Sequence, residues 1–480
     1  MNYRVILHIL GALLLFEGLS LLLPLPFSYY YGDGDAQAII TSALICLGCG
    51  AALFLPTGSK KDLGIREGFV IVALGWTLLA AFGAIPFVIG GAIPSYTDAF
   101  FETMSGFTTT GASILPNVET VPHGLLFWRS LTHWLGGMGI IVLSLAILPI
   151  LGVGGMQLYK AEVPGPSPDK LSPRIRDTAK ILWVVYFLMS ALQTGLLMLG
   201  GMTLFDSLCH TFGSMATGGF STKNTSVGYY NSLYIEIVII FFMFMAGVNF
   251  SLHYAFLKGN FKSYWKDREF LFYIKFTTLS ILFVTIVVYF SNYHNAGQSL
   301  RAAAFQVVSI LTTTGFVTAD FEKWAHAGQI ALLVLMFVGG CAGSTGGAIK
   351  VIRFMIVLKQ GVLELRKLLH PNAYIPMRLG GRVIQPEVVT EVLGFFIIYM
   401  LIFIIGSIIM TCFGLDLVTA GSSVAATLGN IGPGLAVAGP MDNYAFVPAG
   451  GKWALSFFML LGRLELYTIL ILFVPEFWKK

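Results

Sequence analysis

Long apolar runs alternate with short polar connections from one end of the chain to the other. A run of about 20 apolar residues crosses a bilayer as a helix. Ten such helices are predicted, at 4–26, 37–57, 67–91, 124–150, 179–201, 231–257, 270–291, 328–357, 387–414 and 453–474. The first begins directly after Met1-Asn2-Tyr3-Arg4. It is too long for the core of a signal peptide and has no small-x-small cleavage site, so it reads as a retained helix.

The connections on one side carry a second pattern. From the third run onward they are moderately apolar, too short to cross twice, and rich in Thr and Gly: Asp98–Ser113, Asp206–Thr222, Ala302–Thr318 and Asp416–Leu435. The chain therefore reads as an initial helix pair followed by four repeats of helix, half-buried segment, helix. The boundaries that follow are 1–66 for the pair and 67–157, 158–258, 259–358 and 359–480 for the repeats. The segments align on Gly111, Gly219, Gly315 and Gly432. Six positions earlier stand small residues, Ser105, Gly213, Ser309 and Ala426; nine positions earlier stand polar ones, Glu102, His210, Gln306 and Ser423. Asp98 and Asp206 share a place and are expected to cap short helices. Asp416 is displaced from that place by about one helical turn.

Composition settles the class. Of 480 residues 56% are hydrophobic and 11% charged, against about 25% charged in soluble domains. The expected fold is an all-α integral membrane protein. Lys and Arg concentrate at 58–66, 158–178, 258–269, 358–386 and both termini, while the opposite connections hold only Arg129, Lys223, Arg301, Lys323 and Lys452. This bias puts both termini in the cytoplasm, and the net charge of +5 mostly reflects it. The five cysteines lie in apolar segments without zinc spacing, so neither disulfides nor a metal centre are expected. Cys46 and Cys49 form a C-x-x-C, but within a predicted span, where small packing residues are the simpler reading.

Enzyme readings find little support. Gly32-Asp33-Gly34-Asp35 spells the GxGD of intramembrane aspartyl proteases, but in a connection rather than a span. His133-Trp134 has no Glu-x-x-His context, and no Gly-rich nucleotide fingerprint follows a strand. Nothing points to a cofactor or to a nucleic-acid partner.

The four Thr/Gly segments carry the chemistry. Non-helical backbone at membrane depth persists only where it is buried in protein or lines a water-filled path. Loops whose carbonyls turn inward replace the water shell of a cation, and four of them make rings of oxygens. Glycine allows the backbone angles this needs, and the short helix before each loop directs its negative end toward the ion. A single Thr-Thr-Gly would read as an ordinary turn; four copies in register argue against that.

These segments, with Gly154-Gly155-Met156-Gln157-Leu158-Tyr159-Lys160-Ala161-Glu162 and the Pro173-Arg174-Ile175 that follows, resemble the TrkH/KtrB potassium transporters over nearly the whole chain. The initial helix pair resembles the TrkH branch. The resemblance implies a pseudo-fourfold pore in a bacterial inner-membrane protein, assembly as a homodimer, and control by a cytosolic nucleotide-binding ring, TrkA. It assigns the potassium selectivity filter to Thr110-Gly111, Gly218-Gly219, Thr314-Gly315 and Ile431-Gly432, flanked by Thr109, Thr217, Thr313 and Asn430. The fourth loop departs from Thr-x-Gly, as is usual in the family. Glycine at all four key positions resembles potassium-selective members; relatives with serine in the first loop favour sodium.

Two features stand outside the loops. Val338-Gly339-Gly340-Cys341-Ala342-Gly343-Ser344-Thr345-Gly346-Gly347 interrupts the eighth run. Its glycines each cost a helix nearly 1 kcal/mol relative to Ala. They serve either close helix packing through Gly339, Gly343 and Gly347 or a broken helix; the resemblance implies a loop crossing the pore as a gate. Arg463 lies within the last run, where a charge faces a cavity or a partner. Glu465 is a poor local partner by helical spacing. An inter-helix ion pair is one reading; the resemblance implies an electrostatic barrier below the filter. A rival transport reading is potassium–proton or potassium–sodium symport, with Glu17, Glu236 and Glu391 as candidate relays.

Overall fold

The computed structural model describes residues 1–57, 64–142, 175–373, 375–380 and 382–479. Among these the regular secondary structure is helical apart from one hairpin of two-residue strands, Arg378–Leu379 and Arg382–Val383, and a single bridge between Val338 and Ile349. Six of the described helices are long and apolar enough to cross a membrane: Tyr3–Tyr31, Ala36–Thr57, Arg66–Ile89, Lys180–Leu199, Arg268–Tyr293 and Pro386–Cys412. Helix His123–Val142 carries the fourth expected run to the edge of the described residues. The rest of that run, the motif from Gly154 to Glu162, Pro173-Arg174, and most of the basic connections at 58–66 and 158–178 lie outside the described residues.

Three expected spans are broken. Leu233–Ala246 and Phe250–Leu257 meet at 103°, and Ala449–Arg463 and Tyr467–Phe473 at 112°. His326–Leu335 stops, 336–350 is non-helical, and Val351–Leu369 resumes. Only the third break had a strong signal in the sequence. The small-xxx-small reading of Gly339, Gly343 and Gly347 does not apply, because these residues are not helical.

The half-buried segments begin as four short helices, Tyr96–Phe107, Leu204–Ala216, Ala296–Leu311 and Leu417–Leu428. Their caps differ from expectation. Ser95 and Thr203 cap the first two, accepting from the Asp98 and Asp206 amides at 3.4 and 3.1 Å. Asp98 and Asp206 thus sit inside the first turn, where their charge favours the helix N-terminus. Asp416 is itself a cap, accepting from Val418 and Thr419 N at 3.1 Å. It stands as far before its key glycine as Ser95 and Thr203 do before theirs. Its apparent displacement is a change of cap residue, not of register.

The short helices pack inside their own repeats, and three of them also pack against a neighbouring one. Leu204–Ala216 touches His123–Val142, Ala296–Leu311 touches Leu233–Ala246, and Tyr96–Phe107 touches Ala449–Arg463 of the last repeat. The four repeats therefore close on themselves around one axis. The N-terminal pair packs through small residues: a Cβ at Gly11 would lie 2.9 Å from the Gly50 carbonyl oxygen, so the helices approach backbone to backbone. The pair is pinned to the first repeat through the GxGD segment. Asp33 accepts from the His123 amide at 2.7 Å, and Asp35 from the Leu125 amide at 3.0 Å. These aspartates anchor helices.

Candidate functional site

Each short helix ends and the chain turns at once. Thr109, Thr217, Thr313 and Asn430 have φ of 52°, 55°, 60° and 54°, and the key glycines Gly111, Gly219, Gly315 and Gly432 have 83°, 79°, 79° and 100°. The residue between, Thr110, Gly218, Thr314 or Ile431, does not share the positive φ. Alternation of this kind flips successive peptide planes so that their carbonyls face one side. A positive φ costs a β-branched residue about 1–3 kcal/mol, and three threonines bear it at equivalent places.

The four loops meet edge to edge. A Cβ at Gly111 would overlap the Gly218 carbonyl oxygen, one at Gly219 that of Thr314, and one at Gly315 that of Ile431. At Gly432 it would lie 2.8 Å from the Thr110 carbonyl oxygen, which closes the circle. All eight residues of the four pairs thus lie in one ring. A cavity of about 120 Å³ borders all four key glycines at its mouth.

Side chains of the short helices buckle the loops in place. Glu102 accepts from Ser113 Oγ and Ile114 N, both at 2.8 Å, and pairs with Arg129 Nε at 2.6 Å. Arg129 also donates to Ser221 O at 3.1 Å, tying the first loop to the second. His210 Nε2 meets Ser221 Oγ at 2.9 Å, and Gln306 donates to Ala319 O at 3.3 Å. In the fourth repeat Ser422, one residue before Ser423, takes this part and accepts from Leu435 N at 2.9 Å. Tyr444 donates to Gly432 O at 2.9 Å and Asn430 to Thr110 Oγ1 at 2.9 Å. Neither contact had a signal in the sequence, because the partners come from different turns or repeats.

The Gly-rich segment runs directly beneath this ring. Gly347 N donates to Thr313 Oγ1 at 2.7 Å, and Thr217 Oγ1 lies 3.4 Å from Thr345 Oγ1. A Cβ at Gly347 would overlap the Gly429 carbonyl oxygen, and one at Gly346 would lie 3.3 Å from that of Thr312. Gly339 packs against Gly347, and Gly340 against Gly247. Gly343, with φ 71°, gives its carbonyl to Phe250 N at 3.1 Å. The break at Gly247 serves this segment, since the freed carbonyls of Ala246 and Gly247 accept from Thr345 and Cys341 N. Glu269 ties the segment to the helix that follows it, accepting from Ala342 N at 2.8 Å and Ile352 N at 3.1 Å.

Arg463 joins the segment to the last helix. It is 2% exposed and donates to Thr345 O at 2.8 Å and Gly136 O at 3.1 Å. Its two bonds go to backbone carbonyls. Glu465 lies within the break, at φ 55°, and pairs instead with Arg353 at 2.5 Å. Of the three candidate relays, Glu236 is paired with Arg301 at 2.7 Å.

A model of the TrkH family, described as cation transport protein, matches residues 35–480. The chain belongs to the TrkH family. It is 44% identical over 485 residues to the Trk system potassium uptake protein TrkH of Salmonella typhimurium, with 100% of each chain covered. It is 34% identical over 483 residues to the Trk system potassium uptake protein TrkG of Escherichia coli, covering 100% of this chain and 99% of that one. The crystal structure of the potassium transporter TrkH from Vibrio parahaemolyticus matches it with a TM-score of 0.92 at 40% identity over 100% of both chains. These relatives are named as transporters, and the TrkH-family chain described here is an integral membrane protein of the same helical fold.

Proposed function

We propose that this protein takes up potassium through the ring formed by Thr110-Gly111, Gly218-Gly219, Thr314-Gly315 and Ile431-Gly432. The observation that carries the reading is the closed circle in which each key glycine abuts a carbonyl of another loop. A dehydrating cation exchanges water for these oxygens, and the four helix C-termini favour its positive charge. Thr109, Thr217, Thr313 and Asn430 form the inner border. The segment Gly339–Gly347 blocks the way out, held by Thr313 from above and Arg463 from the side, and opens when a cytosolic ring resembling TrkA pulls on it. The protein works as a homodimer in a bacterial inner membrane with both termini in the cytoplasm, built as 1–66, 67–157, 158–258, 259–358 and 359–480. The names of the relatives support potassium as the ion.

The test is rubidium uptake in a bacterium lacking its own potassium uptake, with and without a TrkA-like partner, and with the proton gradient present or collapsed. Uptake driven by membrane potential alone supports a gated channel. Uptake that vanishes with the proton gradient, potential held constant, replaces it with symport.

A further inference from the structure

At the side of the membrane opposite the ring's mouth, Arg268, Lys275, Lys359 and Arg378 line one cavity of about 350 Å³. It lies between helices Arg268–Val288 and Val351–Leu369 and the small hairpin, with Phe272 and Met355 as apolar walls. Its size is within the range of small-molecule sites, roughly 300–1,000 Å³. Lys359 Nζ donates to the Arg378 carbonyl at 2.9 Å, which fixes the hairpin over the helix without using the Arg378 guanidinium. Among the described residues, none of the four cations forms an ion pair. The adjacent carboxylates face elsewhere: Asp267 caps its helix by accepting from Phe270 N at 2.7 Å, and Glu269 holds the Gly-rich segment. Four gathered positive charges without a carboxylate call for an anion.

The depth of the cavity narrows the choice. Lys275 is exposed and stands seven residues into its helix, about 10 Å along the axis. It heads a line of lipid-facing residues, Leu279, Leu282 and Ile286, each at least half exposed. The cavity thus joins a cationic basin to an apolar strip that continues into the bilayer. We propose that it binds a phosphate-bearing anion at the membrane surface, the phosphodiester headgroup of an anionic lipid or free phosphate. Basic pockets between membrane helices hold lipid phosphates in this way. The inference rests on membrane insertion and not on which ion is carried.

The experiment measures phosphatidylglycerol retained by the full-length protein, by native mass spectrometry after extraction from mixed phosphatidylcholine and phosphatidylglycerol nanodiscs. Each charge removed should weaken binding about five-fold, so Lys275→Ala with Arg378→Ala should lose about 25-fold, while Lys258→Ala, outside the cavity, should lose nothing. Equal retention by the double variant, or equal loss in Lys258→Ala, overturns the proposal. A measurement on the unaltered protein stands if the double variant fails to fold. Delipidated protein is titrated with inorganic phosphate and with phosphatidylglycerol, and its unfolding temperature is read. Stabilisation by phosphatidylglycerol alone assigns the site to lipid, and equal stabilisation by inorganic phosphate assigns it to the soluble ion. Stabilisation by neither, with phosphatidylcholine and phosphatidylglycerol retained equally, removes the site.

Discussion

Replacing Arg463 separates a barrier from a brace. The guanidinium is buried and donates to Thr345 O at 2.8 Å and Gly136 O at 3.1 Å. On the proposed path, a potassium ion about 4 Å from that charge would be repelled by about 4 kcal/mol at an effective dielectric of 20. On the scale of about 1.4 kcal/mol per decade, that slows passage by two to three decades. Its bonds to Thr345 O of the segment and Gly136 O of helix His123–Val142 tie the two together, with a net contribution of about 1.5–3 kcal/mol each. Arg463→Gln keeps an amide donor and removes the charge; flux per protein should rise by about two decades or more. Arg463→Lys keeps the charge and loses the fork, and should stay within about tenfold of the parent. The assay is rubidium flux per reconstituted protein in liposomes, with the unfolding temperature measured alongside. A well-folded Arg463→Gln variant with flux at or below the parent refutes the barrier. Lower folded yield with unchanged flux per molecule identifies a brace.

Glu102→Ala leaves Arg129 charged and buried, and breaking such a pair costs about 3–5 kcal/mol; the unfolding temperature should drop sharply, and a normal value would show the pair to be idle. Asp416→Ala removes a helix cap worth about 1 kcal/mol, and Asp416→Asn, which can still cap, should recover most of the lost unfolding temperature. Reversal of Arg366 and Lys367 together with Lys160 and Arg174 should weaken co-purification with a TrkA-like ring; a complex that survives all four docks elsewhere.

The repeats were legible because each loop carries its own local signature. At Gly111, Gly219, Gly315 and Gly432 the φ of 79–100° and the close approach of a neighbouring carbonyl both favour glycine, which is why the four stand in register. The polar position nine residues earlier was equally visible, since three of its four side chains buckle their own loop. What failed to show were contacts made across the fold. Lys452 pairs with Asp98 at 2.6 Å across 354 residues, and Arg353 with Glu465 across 112. Helical spacing made Glu465 a poor partner for Arg463, and the two do not pair; what spacing could not show is the break between Arg463 and Tyr467 that turns Glu465 toward Arg353 on another helix. The break at Gly247 was hidden for a related reason. Its freed carbonyls are satisfied by Cys341 and Thr345 N of the Gly-rich segment, so an apolar run read alone gave no sign of it. The caps misled because Asp98 and Asp206, one turn inside their helices, carry the more familiar capping side chain than Ser95 and Thr203.

Four loops are proposed to form one ring that selects potassium. Gly111→Ser tests it most directly. The added side chain meets the Gly218 carbonyl and must also adopt φ 83°, so the first loop shifts and the ring loses its fourfold spacing. The measurement is the ratio of potassium to sodium permeability from reversal potentials of the reconstituted, folded variant. Sodium permeability should rise relative to potassium. A ratio equal to that of the parent would take Gly111 out of the filter and contradict the ring.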